Sequence, residues 1–249
     1  MTTTDGVWSD AIGEPAETLL ELRGVRAAYG RIEVLHGIDL VVPGGSVTAV
    51  LGPNGAGKTT MLRVVAGLHR ASSGDVLVTG RRLNGARPDD LARAGLVLIP
   101  EGRGVFPSLT VRENLRMATH AGRSLAEVEA AAYQRFPRLA ERRGQVAGTL
   151  SGGEQQMLAL ARGVAADPAV LLLDELSMGL APKIVEDLYE QVASIAAGGT
   201  SVVVVEQFAR VAMRVAETAA VVVGGRVAAA GTPAELEGRL EEVYLGGHG

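Results

Sequence analysis

Hydrophobic and polar positions alternate in two rhythms along this chain. Short period-two runs fill the first part: "LLELRGVRAAYG" (19–30) and "VLHGIDLVV" (34–42), then a Pro43-Gly44-Gly45 turn and "SVTAVLG" (46–52). They predict antiparallel strands that feed a buried one, and "VLVTGRRL" (76–83) continues this β-rich section. Between about Glu101 and Ala166 the rhythm becomes helical. Thr110 with Glu113 forms a capping-box pattern, an alanine- and charge-rich segment covers 124–143, and "LSGGEQQMLALARG" (150–163) opens on Ser151 and Glu154, a second capping box. Met157, Leu158, Leu160, Ala161, Val164 and Ala165 then line one helical face. Two strand-sized apolar runs follow, "AVLLLD" (169–174) and "SVVVVEQ" (201–207), separated by a helical stretch near 183–197. This is the βαβ pattern of a parallel sheet. "AAVVVGGRVAAAG" (219–231) reads as a hairpin turned at Gly224-Gly225, and Thr232-Pro233-Ala234-Glu235 carries an N-cap, an N1 proline and a capping-box glutamate together. The class is α/β: a parallel-sheet core, an N-terminal antiparallel part and an inserted helical part.

Composition narrows the function. Of 249 residues 47% are hydrophobic, enough for a substantial core, while 24 basic against 28 acidic residues leave a net charge of −4. No overall positive field draws in nucleic acid, and one Trp, four Tyr and three Phe offer few stacking platforms. The absence of cysteine excludes disulfides, zinc–thiolate sites and thiol nucleophiles. Residues 1–17 carry acids and lack a long apolar core, so they read as a flexible extension rather than a secretory signal. The aliphatic runs are strand-sized, short of a membrane span.

The first chemical signal is "GPNGAGKTT": Gly52, Pro53, Asn54, Gly55, Ala56, Gly57, Lys58, Thr59 and Thr60. It fits the phosphate-binding loop G-x-x-x-x-G-K-[ST] and lies where that loop must, after a buried strand and before the apolar helix "MLRVVAGL". Its glycines let successive N–H groups face phosphate oxygens at a helix N-terminus. Lys58 would reach the β- and γ-phosphates, and the Thr59 hydroxyl would bind Mg²⁺. Asp174, closing "VLLLD", fits the acid that holds the metal through water, and Glu175 beside it fits the general base that orients and deprotonates the attacking water.

Two glycines, Gly152 and Gly153, follow Ser151 in the first turn of a helix, where each costs about 0.8–1 kcal/mol against Ala. The loop, the acidic strand end and "LSGGEQQ", in this order, resemble the ATP-binding cassette family of transporter ATPases from about Leu19 to the C-terminus. The resemblance implies a P-loop cassette domain over 18–249, with a RecA-like core and a helical subdomain near 101–166. It also implies that Ser151, Gly152, Gly153 and Glu154 close on the ATP held by a second cassette packed head to tail. On that reading the glycines clear the way for N–H groups and the Ser151 hydroxyl to approach a γ-phosphate. ATP would hold the pair together and hydrolysis would release it.

Further roles carry over by matching motif. Tyr29 in "AAYG" resembles the aromatic that stacks on adenine, and residues 97–115 resemble the stretch that senses the γ-phosphate and lies against a membrane subunit, with Phe106 and Pro107 on the docking surface or Phe106 in the core. Most cassettes have glutamine at Glu101, histidine at Gln207 and aspartate at Ala181. Glu101 offers Mg²⁺ or the water an anionic oxygen, whereas Gln207 can donate to the γ-phosphate but cannot accept a proton at neutral pH, which leaves Glu175 as the base. These two residues, with "SMGLAP" (177–182), "VVVEQ" (203–207) and "YLGG" (244–247), closely resemble the second of the two ATPases of branched-chain amino acid importers; Leu176 stands where that subfamily usually has proline. The implied partners are a sister or identical cassette, two membrane permeases and, indirectly, an extracytoplasmic binding protein. The implied place is the inner face of the plasma membrane. A urea or short-amide importer ATPase is the alternative, ranked lower because of Glu101. A soluble cassette of translation or repair lacks support, since neither a second loop nor a long coiled-coil insertion is present.

Overall fold

The computed structural model describes residues 17–102, 104–207 and 209–238. Most of the 1–17 extension and the "YLGG" segment lie outside them. β1 (Thr18–Tyr29) and β2 (Ile32–Pro43) pair antiparallel, β4 (Ser73–Val78) joins the other edge of β1, and β5 (Arg81–Arg82) closes a sheet of order β2-β1-β4-β5. The second sheet has order β10-β9-β3-β8-β7-β6. Its strands β3 (Val47–Leu51), β6 (Leu96–Ile99), β7 (Val170–Asp174), β8 (Ser201–Glu206) and β9 (Thr218–Val223) run parallel, and β10 (Arg226–Gly231) returns antiparallel through the Gly224-Gly225 turn.

Every residue of β3, β7 and β8 is buried, as expected of parallel strands covered on both faces. Their period-two alternation feeds two cores. Ala49, Leu51, Leu171, Leu173, Val202 and Val204 pack with α6 (Gly152–Ala165) and α7 (Pro182–Ala197), while Val50, Val170, Leu172, Val203 and Val205 pack with α1 (Lys58–Val65) and the antiparallel sheet. Shifting one of these strands by a residue would exchange its two faces, so the register is firmly specified. Between β4 and β6 lies α2 (Pro88–Arg93), which with β6 escaped the sequence reading: a six-residue helix and a four-residue strand give too little periodicity.

Among the described residues from 101 to 110 none is helical. Helices begin with α3 (Val111–Arg116), followed by α4 (Leu125–Arg135), α5 (Pro137–Glu141) and α6. The 124–143 segment is two helices because Pro137 can start a turn but cannot continue one. Capping boxes open α3, α4 and α6, and another opens α9 (Pro233–Glu237), which follows α8 (Ala209–Val215). Among the described residues no helix is long and apolar enough to cross a membrane.

Candidate functional site

The carboxyl ends of the parallel strands converge. Register pairs Leu51 with Glu206, Asp174 with Val205, and Ile99 with Leu173, so residues 52, 101, 174, 175 and 207 leave the sheet along one edge. Ligand crevices of open α/β sheets form at such edges where the strand order reverses, and here the consecutive strands β8 and β9 lie on opposite sides of β3.

The glycine loop is held close to its surroundings. A Cβ at Gly52 would fall 2.2 Å from the Val222 carbonyl oxygen, and Gly57 takes φ +102 at the start of α1, where a Cβ would sit 2.8 Å from Leu35 Cδ2. Residues 54–60, with Val34, Glu101, Glu175 and Met178, line a cleft of about 550 Å³. Lys58 is buried, and its Nζ donates to the carbonyls of Gly52 at 2.7 Å and Pro53 at 3.1 Å. Burial lowers its pKa, against the pull of Glu175, Asp174 and Glu206.

Thr59 Oγ1 donates to Asp174 Oδ1 at 3.2 Å. Asp174 is 3% exposed, and burial pushes its carboxyl up to about 6; the Thr59 hydroxyl works against this, while Glu175 and Glu101 reinforce it. A buried carboxylate with a hydroxyl partner, facing a glycine cradle that contains a buried ammonium, fits a metal–triphosphate group: a divalent cation would offset the desolvation that raises Asp174. Among the described residues no three His, Asp or Glu side chains form a cage, and Mg²⁺ characteristically takes one or two carboxylates plus substrate phosphates.

Glu175 adopts φ +49, uncommon for a residue with a Cβ, and its N–H donates to the Val205 carbonyl at 2.9 Å. It lines both the loop cleft and an adjoining one that contains Gln207, Glu206, Ser177 and Tyr189's neighbour Val185. Leu176, in the subfamily's proline position, is 1% exposed and belongs to the core shared by α6 and α7. Tyr29 lies at the end of β1, 43% exposed, with one face stacked on His69 at 4.2 Å and its hydroxyl accepting from Arg63 at 3.5 Å. Arg63 lowers the Tyr29 pKa, with Thr60 of the loop a lesser contributor in the same direction.

The segment from Ser151 to Glu154 lines neither cleft. Ser151 is exposed; its hydroxyl donates to Glu154 Oε2 at 2.8 Å, and Glu154 Oε1 pairs with Arg142 at 2.6 Å. Burial opposes ionisation of Glu154, but the Ser151 donors and Arg142 outweigh it and hold the carboxyl below its ordinary value. Gly153 is buried against α7, where a Cβ would meet Ile184 Cγ2 at 2.5 Å. Helix packing alone therefore requires this glycine, whereas Gly152 is half-buried.

Three residues outside the sequence reading shape this region. Asn114, fully buried, accepts from the Phe106 N–H at 2.9 Å and donates to the carbonyls of Phe106, Leu109 and Thr110, holding the 106–110 loop. Arg162 donates to the Gly104 carbonyl and lies over the half-exposed Phe106 ring at 4.8 Å. Glu206, 2% exposed, accepts from Ser177 and Tyr189. An acid ending a run of valines was the one signal available for Glu206.

A family model described as ABC transporter matches residues 35–177. The chain is 39% identical to the high-affinity branched-chain amino acid transport ATP-binding protein BraG of Pseudomonas aeruginosa, across 92% of this chain and 100% of that protein. It is 35% identical to the probable branched-chain amino acid transport ATP-binding protein LivF of Archaeoglobus fulgidus, across 89% of this chain and 96% of that one. Among solved structures, an ATP-binding subunit of an ABC transporter superposes with a TM-score of 0.80 at 29% identity, covering 92% of this chain and 98% of the other. With a family match over more than half its length, and near-complete alignment to such relatives, the chain belongs to the ABC transporter family, as an ATP-binding cassette.

Proposed function

We propose that this cassette hydrolyses ATP to drive an importer of branched-chain amino acids, and that residues 18–249 form its one domain, with 101–166 as the helical subdomain. The observation that carries the chemistry is the convergence of the 52–60 cradle, buried Lys58, the Thr59–Asp174 pair and Glu175 at one sheet edge. The substrate class is supported by the names of the two relatives aligned over nearly their whole length and by Glu101 and Gln207.

In this reading the loop amides and Lys58 bind the β- and γ-phosphates, and Tyr29 offers adenine the ring face opposite His69. Thr59, Asp174 and Glu101 would hold Mg²⁺, which supplies charge neutralisation on the phosphates. Glu175 orients a water and takes its proton as the water oxygen bonds to the γ-phosphorus and the bond to the ADP oxygen breaks. Gln207 donates its amide to the γ-phosphate and accepts no proton. Ser151 and Gly152 lie away from their own cleft and available at the head of α6, which supports their serving the nucleotide of a second cassette. Permeases across the membrane and an extracytoplasmic binding protein complete the assembly, with the cassette peripheral on the inner face.

Glu175→Gln in the assembled transporter tests the chemistry. It is expected to cut phosphate release by at least about 100-fold while ATP still binds and joins the cassettes. Phosphate release at the unmodified rate refutes Glu175 as base. Uptake of labelled leucine, isoleucine or valine by vesicles carrying the complex tests the cargo, and a complex that turns over ATP but moves none of them refutes it.

A further inference from the structure

β8 ends in an acid that the chemistry above leaves unused. Glu206 closes a strand otherwise made of one serine and four valines, and it is 2% exposed. Its Oε1 accepts from the Ser177 N–H at 2.9 Å and the Tyr189 hydroxyl at 2.7 Å, and its Oε2 accepts from the Ser177 hydroxyl at 2.8 Å. Burial pushes this carboxyl up, against those three donors. An apolar residue would fill a strand end at lower desolvation cost, so the position asks for a reason.

Geometry supplies one. Ser177 lies two residues beyond Glu175, whose left-handed backbone must be held by its surroundings. The turn between them is tied to β8 at both ends: the Glu175 N–H donates to Val205, and the Ser177 N–H and hydroxyl donate to Glu206. The residue immediately after the strand is Gln207, which shares a cleft with Glu175. Tyr189, reaching from α7, fixes the carboxylate rather than the turn.

We propose that Glu206 is a positioning residue that clamps the 175–177 turn onto β8, aiming the Glu175 carboxylate at the loop cleft and coupling its placement to Gln207. This rests on the reading of Glu175 as the base of an ATPase. The clamp works through hydrogen-bond geometry: a glutamine can keep its amide oxygen on the Ser177 N–H and Tyr189 and turn its NH₂ to the Ser177 hydroxyl, whereas a leucine leaves those donors unpaired.

The assembled transporter with Glu206→Leu, Glu206→Gln, Ser177→Ala, Ser177→Thr or Tyr189→Phe tests this through kcat and KM for ATP, alongside thermal melting. Glu206→Leu is expected to lower kcat by about 10–100-fold with KM changed less than about threefold, and Glu206→Gln to stay within about threefold of the unmodified kcat. Tyr189→Phe should lower the melting temperature and leave kcat within about threefold. Should Glu206→Leu not fold, Ser177→Ala is expected to cost about 3–10-fold in kcat, with Ser177→Thr restoring it. Unchanged kcat in the folded Leu or Ser177→Ala variant overturns the clamp. So does a KM that rises in step with the kcat loss, a Gln variant as slow as Leu, or a Tyr189→Phe variant as slow as Leu. An unmodified complex that releases no phosphate overturns the ATPase reading instead.

Discussion

Asp174 is expensive where it sits. Its folded carboxyl holds a proton up to about pH 6, well above the ordinary aspartate value, because burial penalises the charged form. Between those values the folded state binds more protons than the unfolded one. Its contribution therefore favours the fold at acid pH and is lost as pH rises through about 6. Asp174→Asn in nucleotide- and metal-free protein is expected to raise stability at pH 7.5 by about 1–3 kcal/mol and to flatten the stability profile between about pH 4 and 6. Thermal melts across that range check this. The same variant should hydrolyse no ATP, a stability–activity conflict typical of a functional carboxylate. The residue type and its place at a strand end were legible in "VLLLD". Its depth and its bond to Thr59, 115 positions earlier, were not, because pattern along a chain carries no distance between remote positions.

At the scale of elements, the start of α6 separates two explanations for paired glycines. Ala in place of Gly inside a helix normally contributes about 1 kcal/mol of propensity. At Gly153 the added Cβ meets Ile184 Cγ2, which belongs to a stiff β-branched side chain on α7, and overpacking of this kind costs about 1–3 kcal/mol. Gly153→Ala is thus expected to destabilise by about 1 kcal/mol net, and Ile184→Ala in the same chain to relieve the clash, a coupling that a double-mutant cycle in chemical denaturation reads directly. Gly152→Ala should raise stability by up to about 1 kcal/mol through helix propensity and weaken nucleotide-dependent pairing of cassettes, measured by light scattering with ATP. The capping boxes of α3, α6 and α9 could be read from four residues each, since the N-cap and the third helical residue bond to one another. The reason for Gly153 could not, since it lies on another helix.

For the molecule as a whole, the site is incomplete in one copy if Ser151 and Gly152 serve a neighbour. ATP turnover per cassette should then fall on dilution and recover when the partner cassette is added back. A rate independent of concentration, from material shown to be monomeric by sedimentation, would refute the shared site. The six-stranded sheet determines which residues can share a cleft: placing β3 between β8 and β9, and β7 beside β8, brings together chain positions more than a hundred residues apart.

The sequence by itself determined what short-range physics governs: buried strands as unbroken apolar runs, helix starts as capping boxes, a phosphate cradle as glycines before a lysine and a threonine. Each depends on backbone angles and hydrogen bonds spanning a few residues. Tertiary structure alone decided the strand order, the register that pairs Leu51 with Glu206 and Asp174 with Val205, the His69 stack behind Tyr29, the packing behind Gly153 and the clamp on Ser177. These are pairings between distant segments, and they are selected by the simultaneous packing of two cores on one sheet, a constraint that no local stretch of the chain contains.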